Sequence, residues 1–271
     1  MTQDVWLVKH PYLQRVASLQ ALIDAALADA PIADPCVPSW DGYTSDFHAG
    51  IPLLLSPSVA IDFRGLERPL RSLVEALALK PLPGKLARDA RTLETQLNAD
   101  RDSPRRALSW LFDHDSFTPT SPGLLRYLGW SLLARYLRPV VDAFSGWRDE
   151  ERWLRCYCPV CGEFAAMAQL IGTDPGRLRF LSCGCCRSRW RYRRTGCPFC
   201  QSEDDHRLAV VAVEGEAGLR IDYCEACSGY VKTYEGQGSE SVLLADWTSL
   251  HLDIMARDRG LMRFAGSLYQ L

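Results

Sequence analysis

Four C-x-x-C pairs constrain the fold of this chain more than any other feature of its sequence. They are Cys158/Cys161, Cys183/Cys186, Cys197/Cys200 and Cys224/Cys227. Two such pairs, brought together by the chain, supply the four thiolates of a tetrahedral metal site. Every cysteine except Cys36 lies between positions 156 and 227, which is typical of metal ligation rather than of a disulfide framework. The sequence therefore predicts two four-cysteine sites, and a thiolate tetrahedron suits iron and zinc alike.

An internal repeat predicts which cysteines are ligands. The segment "GRLRFLSCGCCRSRWRYRR" aligns with "AGLRIDYCEACSGYVKTYE" when Cys183 is set on Cys224, which indicates a duplicated ribbon. In this register Cys185 matches Ala226, so we expect it not to bind metal, and Cys156 also lies outside the C-x-x-C pattern. Each C-x-x-C turn is called a knuckle. The duplication favours a site made by the first and second knuckles and another made by the third and fourth. Cross-braced pairing of the first knuckle with the third remains open.

The two halves of the chain have different sequence patterns. Apolar residues recur at helical intervals in residues 10–30, 65–79 and 83–97, and the Ser-Pro steps at Ser103 and Ser121 predict two further helix starts with the serine hydroxyl as cap. A Pro-rich stretch, 31–58, reads as a long ordered connection. After Trp153, short strand-like runs alternate with turn signals, and helical periodicity returns beyond Gly238.

These patterns predict an α+β fold. An N-terminal helical domain is followed by two tandem four-cysteine modules of the rubredoxin or zinc-ribbon type and a C-terminal helix. The predicted boundaries are 1–152 for the helical domain, 153–195 and 196–238 for the two ribbons, and 239–271 for the C-terminal helical segment.

Charge and motifs restrict the function. The net charge is −2, which gives no general reason to expect nucleic acid as a partner. The start of the chain lacks a secretory pattern, and the most apolar segment, 123–141, carries three arginines, so we expect a cytoplasmic protein without a membrane span. The histidines form no motif, and we expect His251 to be a hydrogen-bonded, partly buried side chain rather than a metal ligand. No nucleophile, phosphate or dinucleotide motif is present, so we expect no catalytic or cofactor-binding residues and no enzyme.

The segment "RSRWRYRR" leaves a nucleic-acid alternative open. Its arginines at 187, 189, 191 and 193 alternate with Trp190 and Tyr192, so a strand would place the two sets on opposite faces. Basic ribbons with interleaved aromatic residues occur in nucleic-acid binders. We prefer a solvated face that also offsets the negative charge of the thiolates.

The cysteine-rich half resembles the formate dehydrogenase accessory protein family, FdhE. The resemblance rests on "CPVCG", on "CGCCRSRW", on a third C-x-x-C, on "CEACSGYVK", and on "LADWTSLHLDIMARDRGLMR". The last segment is similar to a family pattern through Asp246, Ser249, Leu250, Leu252, Asp253, Gly260 and Arg263.

The resemblance implies a cytoplasmic assembly factor for a respiratory formate dehydrogenase. Such a factor would bind the catalytic subunit of this molybdenum- or tungsten-containing enzyme before its export, and would carry rubredoxin-like iron rather than obligatory zinc on the eight C-x-x-C cysteines. A homodimer is compatible with the sequence. The alternatives are a zinc-ribbon nucleic-acid binder and a rubredoxin-like redox protein.

Overall fold

The computed structural model describes residues 1–112, 114–173, 175–216 and 218–267, and its first half is helical, as predicted. The three amphipathic segments correspond to the helices α2, α4 and α5. The helices of this half are α1 (Gln3–Lys9), α2 (Gln14–Asp29), α3 (Thr44–Ala49), α4 (Glu67–Ala78), α5 (Gly84–Asn98), α6 (Ser103–Trp110) and α7 (Pro122–Trp147).

The two Ser-Pro steps start helices without the predicted serine caps. Ser121 precedes α7, but its hydroxyl donates to the Asp89 carbonyl of α5 at 3.5 Å instead of accepting from the first turn of α7. Ser103 lies within α6 and makes no capping bond either. The prediction of hydroxyl capping is therefore wrong. At Ser121 the side chain links α5 to α7, and the proline alone marks the helix start.

Helix α7 is the centre of the helical half. Most of its side chains are buried, from Leu124 to Phe144, while Arg138 stays exposed beside Asp142. Among the residues that the structure describes, no helix is long and apolar enough to cross a membrane.

The predicted strand-like runs form a single six-stranded sheet. Each repeat contributes an antiparallel meander, and the strand order is β3-β2-β1-β6-β5-β4. Trp190 and Tyr192 of β3 are buried, as the alternation of that strand predicts. The strands are β1 (Ala165–Ile171), β2 (Leu178–Cys183), β3 (Arg189–Tyr192), β4 (Leu208–Ala212), β5 (Leu219–Cys224) and β6 (Tyr230–Glu235).

The duplicated meanders join through parallel pairing of β1 with β6. The register runs from Met167 opposite Lys232 to Leu170 opposite Glu235. Corresponding positions keep the same pairing inside each repeat, since Phe180 faces Arg191 and Ile221 faces Lys232. The sheet is therefore continuous across the two ribbons.

The C-terminal segment is shorter in helix than its sequence predicts. It contains α8 (Glu240–Leu243), a 3₁₀ turn (Asp246–Ser249) and α9 (Leu250–Asp258). The chain leaves α9 towards Gly260, whose φ of +73° suits a left-handed turn after a helix. Residues 268–271 of the predicted segment 239–271 lie outside the described residues.

Buried side chains form two cores, and each ribbon packs mainly in a different one. The first core contains the helical half together with the first ribbon, including Cys158 and Trp190. The second contains α1, the second ribbon and the C-terminal segment, including Trp6 and Ile221. The first ribbon is thus enclosed by helices, whereas the second lies nearer the surface. The four-part division of the chain stays a prediction.

Candidate metal centres

Four cysteine side chains of the first ribbon converge, with sulfur atoms within 4.8 Å of one another. One knuckle precedes β1 and the other is the turn between β2 and β3. All four side chains are buried. The Sγ atoms of Cys158 and Cys186 are 3.4 Å apart, and those of Cys161 and Cys183 are 3.5 Å apart.

The second ribbon repeats this arrangement with more exposure to solvent. Its knuckles precede β4 and connect β5 to β6. The Sγ atoms of Cys197 and Cys227, and those of Cys200 and Cys224, are 3.8 Å apart. Cys200 is exposed and Cys227 is partly so, whereas the other two are buried. Both groups combine successive knuckles, which is the pairing that the duplication favours.

The four knuckles share one backbone conformation. In each, the residue after the second cysteine has a positive φ, between 57° and 83°. Glycine adopts this left-handed conformation freely, but other residues do so at a cost. Among the described residues, the non-glycine positions with positive φ are confined to these turns. The four positions are Gly162, Arg187, Gln201 and Ser228.

Backbone N–H groups in the four knuckles point at sulfur. In the first three knuckles the donor is the N–H two residues after the first cysteine, and in the fourth it is the N–H two residues after the second cysteine; all four donor–sulfur distances are 3.3 to 3.4 Å. Such donors stabilise the negative charge of a thiolate. The donors are Val160, Cys185, Phe199 and Gly229.

The donor sets fit a tetrahedral ion. Thiolates bound at about 2.3 Å lie ~3.8 Å apart in a regular tetrahedron, close to the spacing in the second group and slightly wider than in the first. Burial raises the pKa of Cys186 and of Cys197, so ionisation of these thiols calls for a compensating cation. Each group could therefore hold one metal ion, and four protein thiolates leave no open coordination position.

A serine hydroxyl contacts two sulfurs of the first group, and this contact was not predicted from the sequence. Ser188 is buried, and its Oγ lies 3.0 Å from the Cys158 sulfur and 3.3 Å from the Cys186 sulfur. Its partner in the repeat is Gly229, which has no hydroxyl. This difference between serine and glycine in the aligned repeats was the one sequence signal that could have indicated the contact. A hydroxyl that hydrogen-bonds to the sulfurs distinguishes the first group chemically from the second.

The cysteines outside the C-x-x-C pattern are not part of either group. The Cys185 side chain is buried but lies outside the four converging sulfurs, although its backbone N–H serves one of them. Cys156 is buried, and burial raises its pKa. Cys36 is exposed.

Two arginines of the RSRWRYRR segment contact carboxylates. Arg191 pairs with Glu151 and Arg193 pairs with Glu203, while Arg189 is half-buried. The expectation that this face also offsets the thiolate charge stays a prediction. These contacts give no support to the nucleic-acid alternative.

Comparison with known proteins gives a consistent set of relatives. A protein FdhE homolog from Pseudomonas aeruginosa is 30% identical over an alignment of 273 positions, which covers 96% of this chain and 84% of that protein. One from Aquifex aeolicus is 30% identical over 148 residues, and the match spans about half of each chain: 53% of this one and 51% of the relative. No protein-family model matches the chain.

A solved structure has the same fold. The crystal structure of the FdhE protein from Pseudomonas aeruginosa aligns with a TM-score of 0.62 at 22% sequence identity. The alignment covers 95% of this chain and 88% of that one. The α+β architecture predicted from the sequence is thereby confirmed.

Proposed function

This chain belongs to the FdhE family, and from that premise we propose that it is a non-catalytic accessory protein for the maturation of a respiratory formate dehydrogenase. It binds the catalytic subunit of this molybdenum- or tungsten-containing enzyme in the cytoplasm, before export. The observation that carries the proposal is the presence of two complete four-cysteine groups in a chain that aligns with an FdhE homolog over 96% of its length.

The metal ions in this proposal are iron or zinc, one in each four-cysteine group. The ligands are the eight cysteines predicted from the repeat: Cys158, Cys161, Cys183, Cys186, Cys197, Cys200, Cys224 and Cys227. Closed thiolate sites of this kind contribute folding energy. The knuckles lie in the connections next to the strands, so the ions hold each pair of knuckles in place and thereby shape the surface offered to the partner.

A redox role is the second candidate, and the exposure of Cys200 favours it. An iron ion in the second group would lie close to solvent, within reach of an electron donor or acceptor. Iron bound by four thiolates absorbs visible light and bleaches reversibly on reduction, whereas zinc has neither property. A visible spectrum of the protein purified without oxygen, before and after reduction, tests the redox role: reversible bleaching supports it, and a colourless protein excludes it.

Affinity capture tests the accessory function. The intact protein is used as bait in extracts of its own host grown anaerobically, beside the double variant Cys224→Ser/Cys227→Ser. We expect the intact protein to retain a formate dehydrogenase catalytic subunit and the double variant to lose it. The matched control is Cys185→Ser, which also removes a buried thiol but spares both four-cysteine groups and should retain the subunit.

Two outcomes would contradict parts of the proposal. Equal retention by the intact protein and the double variant would show that partner binding does not depend on the second metal ion. Capture of nucleic acid or of unrelated proteins alone would exclude formate dehydrogenase as the client, while leaving the two metal groups as they are.

A further inference from the structure

Three side chains distant in sequence converge beside the second ribbon, away from the four-cysteine groups. His10 follows α1, Glu216 lies between β4 and β5, and His251 is in α9. Nε2 of His10 lies 2.7 Å from Oε1 of Glu216, and Nε2 of His251 lies 3.0 Å from the same oxygen. The possible ligand atoms of all three lie within 4.8 Å of one another.

The tautomer of His10 directs a lone pair into this cluster. Its Nδ1 lies 3.0 Å from the Trp6 carbonyl oxygen, which only accepts hydrogen bonds, so Nδ1 carries the proton. In neutral His10 the Nε2 lone pair then faces the Glu216 carboxylate, and two lone pairs at 2.7 Å require a proton or a cation between them. A ring nitrogen that donates to a backbone carbonyl is also the usual outer contact of a metal-binding histidine.

Buried polar atoms in the cluster lack hydrogen bonds. Oε2 of Glu216 and both ring nitrogens of His251 are inaccessible and make no hydrogen bond within the described residues, since the 3.0 Å contact of His251 Nε2 with Oε1 of Glu216 lacks hydrogen-bond geometry. The side chains of His10 and Glu216 are only 8% and 10% exposed. Buried polar atoms without hydrogen bonds are costly, and an ion at their centre would satisfy several of them at once.

Aromatic rings enclose the cluster. The Trp6 ring stacks on His10 with centroids 3.9 Å apart, and the Tyr12 ring meets both imidazoles edge-on. These contacts hold the imidazoles in place and restrict solvent. Rigid ligands in a partly dry environment suit a preformed ion site.

We propose that His10, Glu216 and His251 form a third metal site, which binds a divalent transition-metal ion such as Zn²⁺. Two imidazoles and one carboxylate are a common donor set for this ion and leave a coordination position open. The site would connect α1, the second ribbon and α9, three elements that the chain joins only through long intervening segments. It differs from the four-cysteine groups in ligand chemistry and in having room for a further ligand.

Zinc stoichiometry tests this proposal. The full chain with both four-cysteine groups loaded is dialysed against buffered Zn²⁺, and bound zinc is measured by elemental analysis. We expect wild-type protein to bind one equivalent more than the two four-cysteine groups hold, and Glu216→Gln to lack it. Glu214→Gln is the matched control, since Glu214 is exposed on the same loop and should retain the additional equivalent.

Thermal melting provides a second measurement of zinc binding, and a second ligand variant guards against a folding defect in the first. Added Zn²⁺ should raise the melting temperature of the loaded wild-type protein and of Glu214→Gln, but not that of Glu216→Gln. His251→Gln should behave like Glu216→Gln, so that a folding defect of one variant does not decide the result. Wild-type protein with only two equivalents, or the same additional equivalent in Glu216→Gln and His251→Gln, would overturn the proposal and leave a proton-sharing contact.

Discussion

The Lys232 ammonium group donates a 2.8 Å hydrogen bond to Oδ2 of Asp253, and both side chains are buried. Asp246 and Arg263 complete a cluster of two positive and two negative charges. Lys232 lies 2.7 Å from Asp246, and Arg263 contacts both carboxylates, at 2.8 and 2.6 Å. The acidic and arginine positions of the FdhE sequence pattern thus attach the C-terminal segment to β6.

Removing the lysine should be strongly destabilising. The substitution Lys232→Met leaves two buried carboxylates with Arg263 as the remaining cation, and loss of one partner of a buried pair costs about 3–5 kcal/mol. Urea denaturation of the metal-loaded protein measures the effect. The control is Arg257→Met on the exposed side of α9, where we expect a change within about 0.5 kcal/mol. Equal effects of the two substitutions would contradict an energetic role for the cluster.

The same cluster predicts a dependence of stability on pH. Burial alone would raise the pKa of Asp246, but Lys232 and Arg263 outweigh burial and hold the pKa well below its usual range. A carboxyl group whose pKa is lowered by folding stabilises the protein above its unfolded pKa of about 4 and loses this contribution as the pH falls further.

Comparison with Asp246→Asn isolates this contribution, because acid also releases thiolate-bound metal from both proteins. The free energy of unfolding of wild-type protein should fall more steeply between about pH 5 and pH 2 than that of the variant. Denaturant titrations across this range measure both slopes. Parallel slopes would mean that Asp246 titrates alike in the folded and unfolded states.

Local sequence signals predicted the strands and the cysteine groups, but not how distant segments meet. The C-x-x-C spacing and the repeat specify short-range geometry, so they predicted which sulfurs converge and that the Cys185 sulfur lies outside both groups. Strand periodicity does not say which edges pair, so the parallel contact of β1 with β6 was not predicted. The repeat aligns Lys232 with Arg191, but it does not reveal that Lys232 is fully buried and Arg191 only partly buried.

The histidines show the same limit. His10 and His251 lie near opposite ends of the chain, and neither has a neighbouring ligand in sequence. Their approach to Glu216 depends on the packing of α1 and α9 against the second ribbon, which no local pattern encodes. The expectation that the histidines form no motif holds for the sequence, but not for the folded chain.

Metal content should distinguish the ligand cysteines from the others. Cys185→Ser should keep both thiolate-bound equivalents, since its sulfur lies outside the converging four. Cys224→Ser should lose one equivalent and melt at a lower temperature, because the second ribbon then lacks its ion. Elemental analysis and thermal melting of the two variants make the comparison. Loss of an ion from the Cys185 variant would refute the register of the repeat.

The two groups should release metal at different rates. All four sulfurs of the first group are buried, whereas Cys200 of the second is exposed, so a chelator reaches the second ion without opening the core. Release followed with a chromogenic chelator should show a fast and a slow phase of equal size. The fast phase should be absent in Cys224→Ser; its persistence there would assign rapid exchange to the first group.

Replacement of glycine by alanine should lower the stability of the protein at a knuckle turn and raise it in a helix. Gly162 follows the first knuckle with a φ of +83°, where an alanine costs about 1–2 kcal/mol, partly offset by the lower entropy of the unfolded chain. Gly146 lies inside α7 with open space around its missing side chain, and alanine there should stabilise by about 1 kcal/mol. Urea denaturation of Gly162→Ala and Gly146→Ala measures both. Destabilisation of the first variant and stabilisation of the second is the expected result, because Gly162 has a left-handed backbone conformation and close neighbours, whereas Gly146 is helical with open space around it. Stabilisation by both would show that the left-handed turn after Cys161 is not required for the first cysteine group.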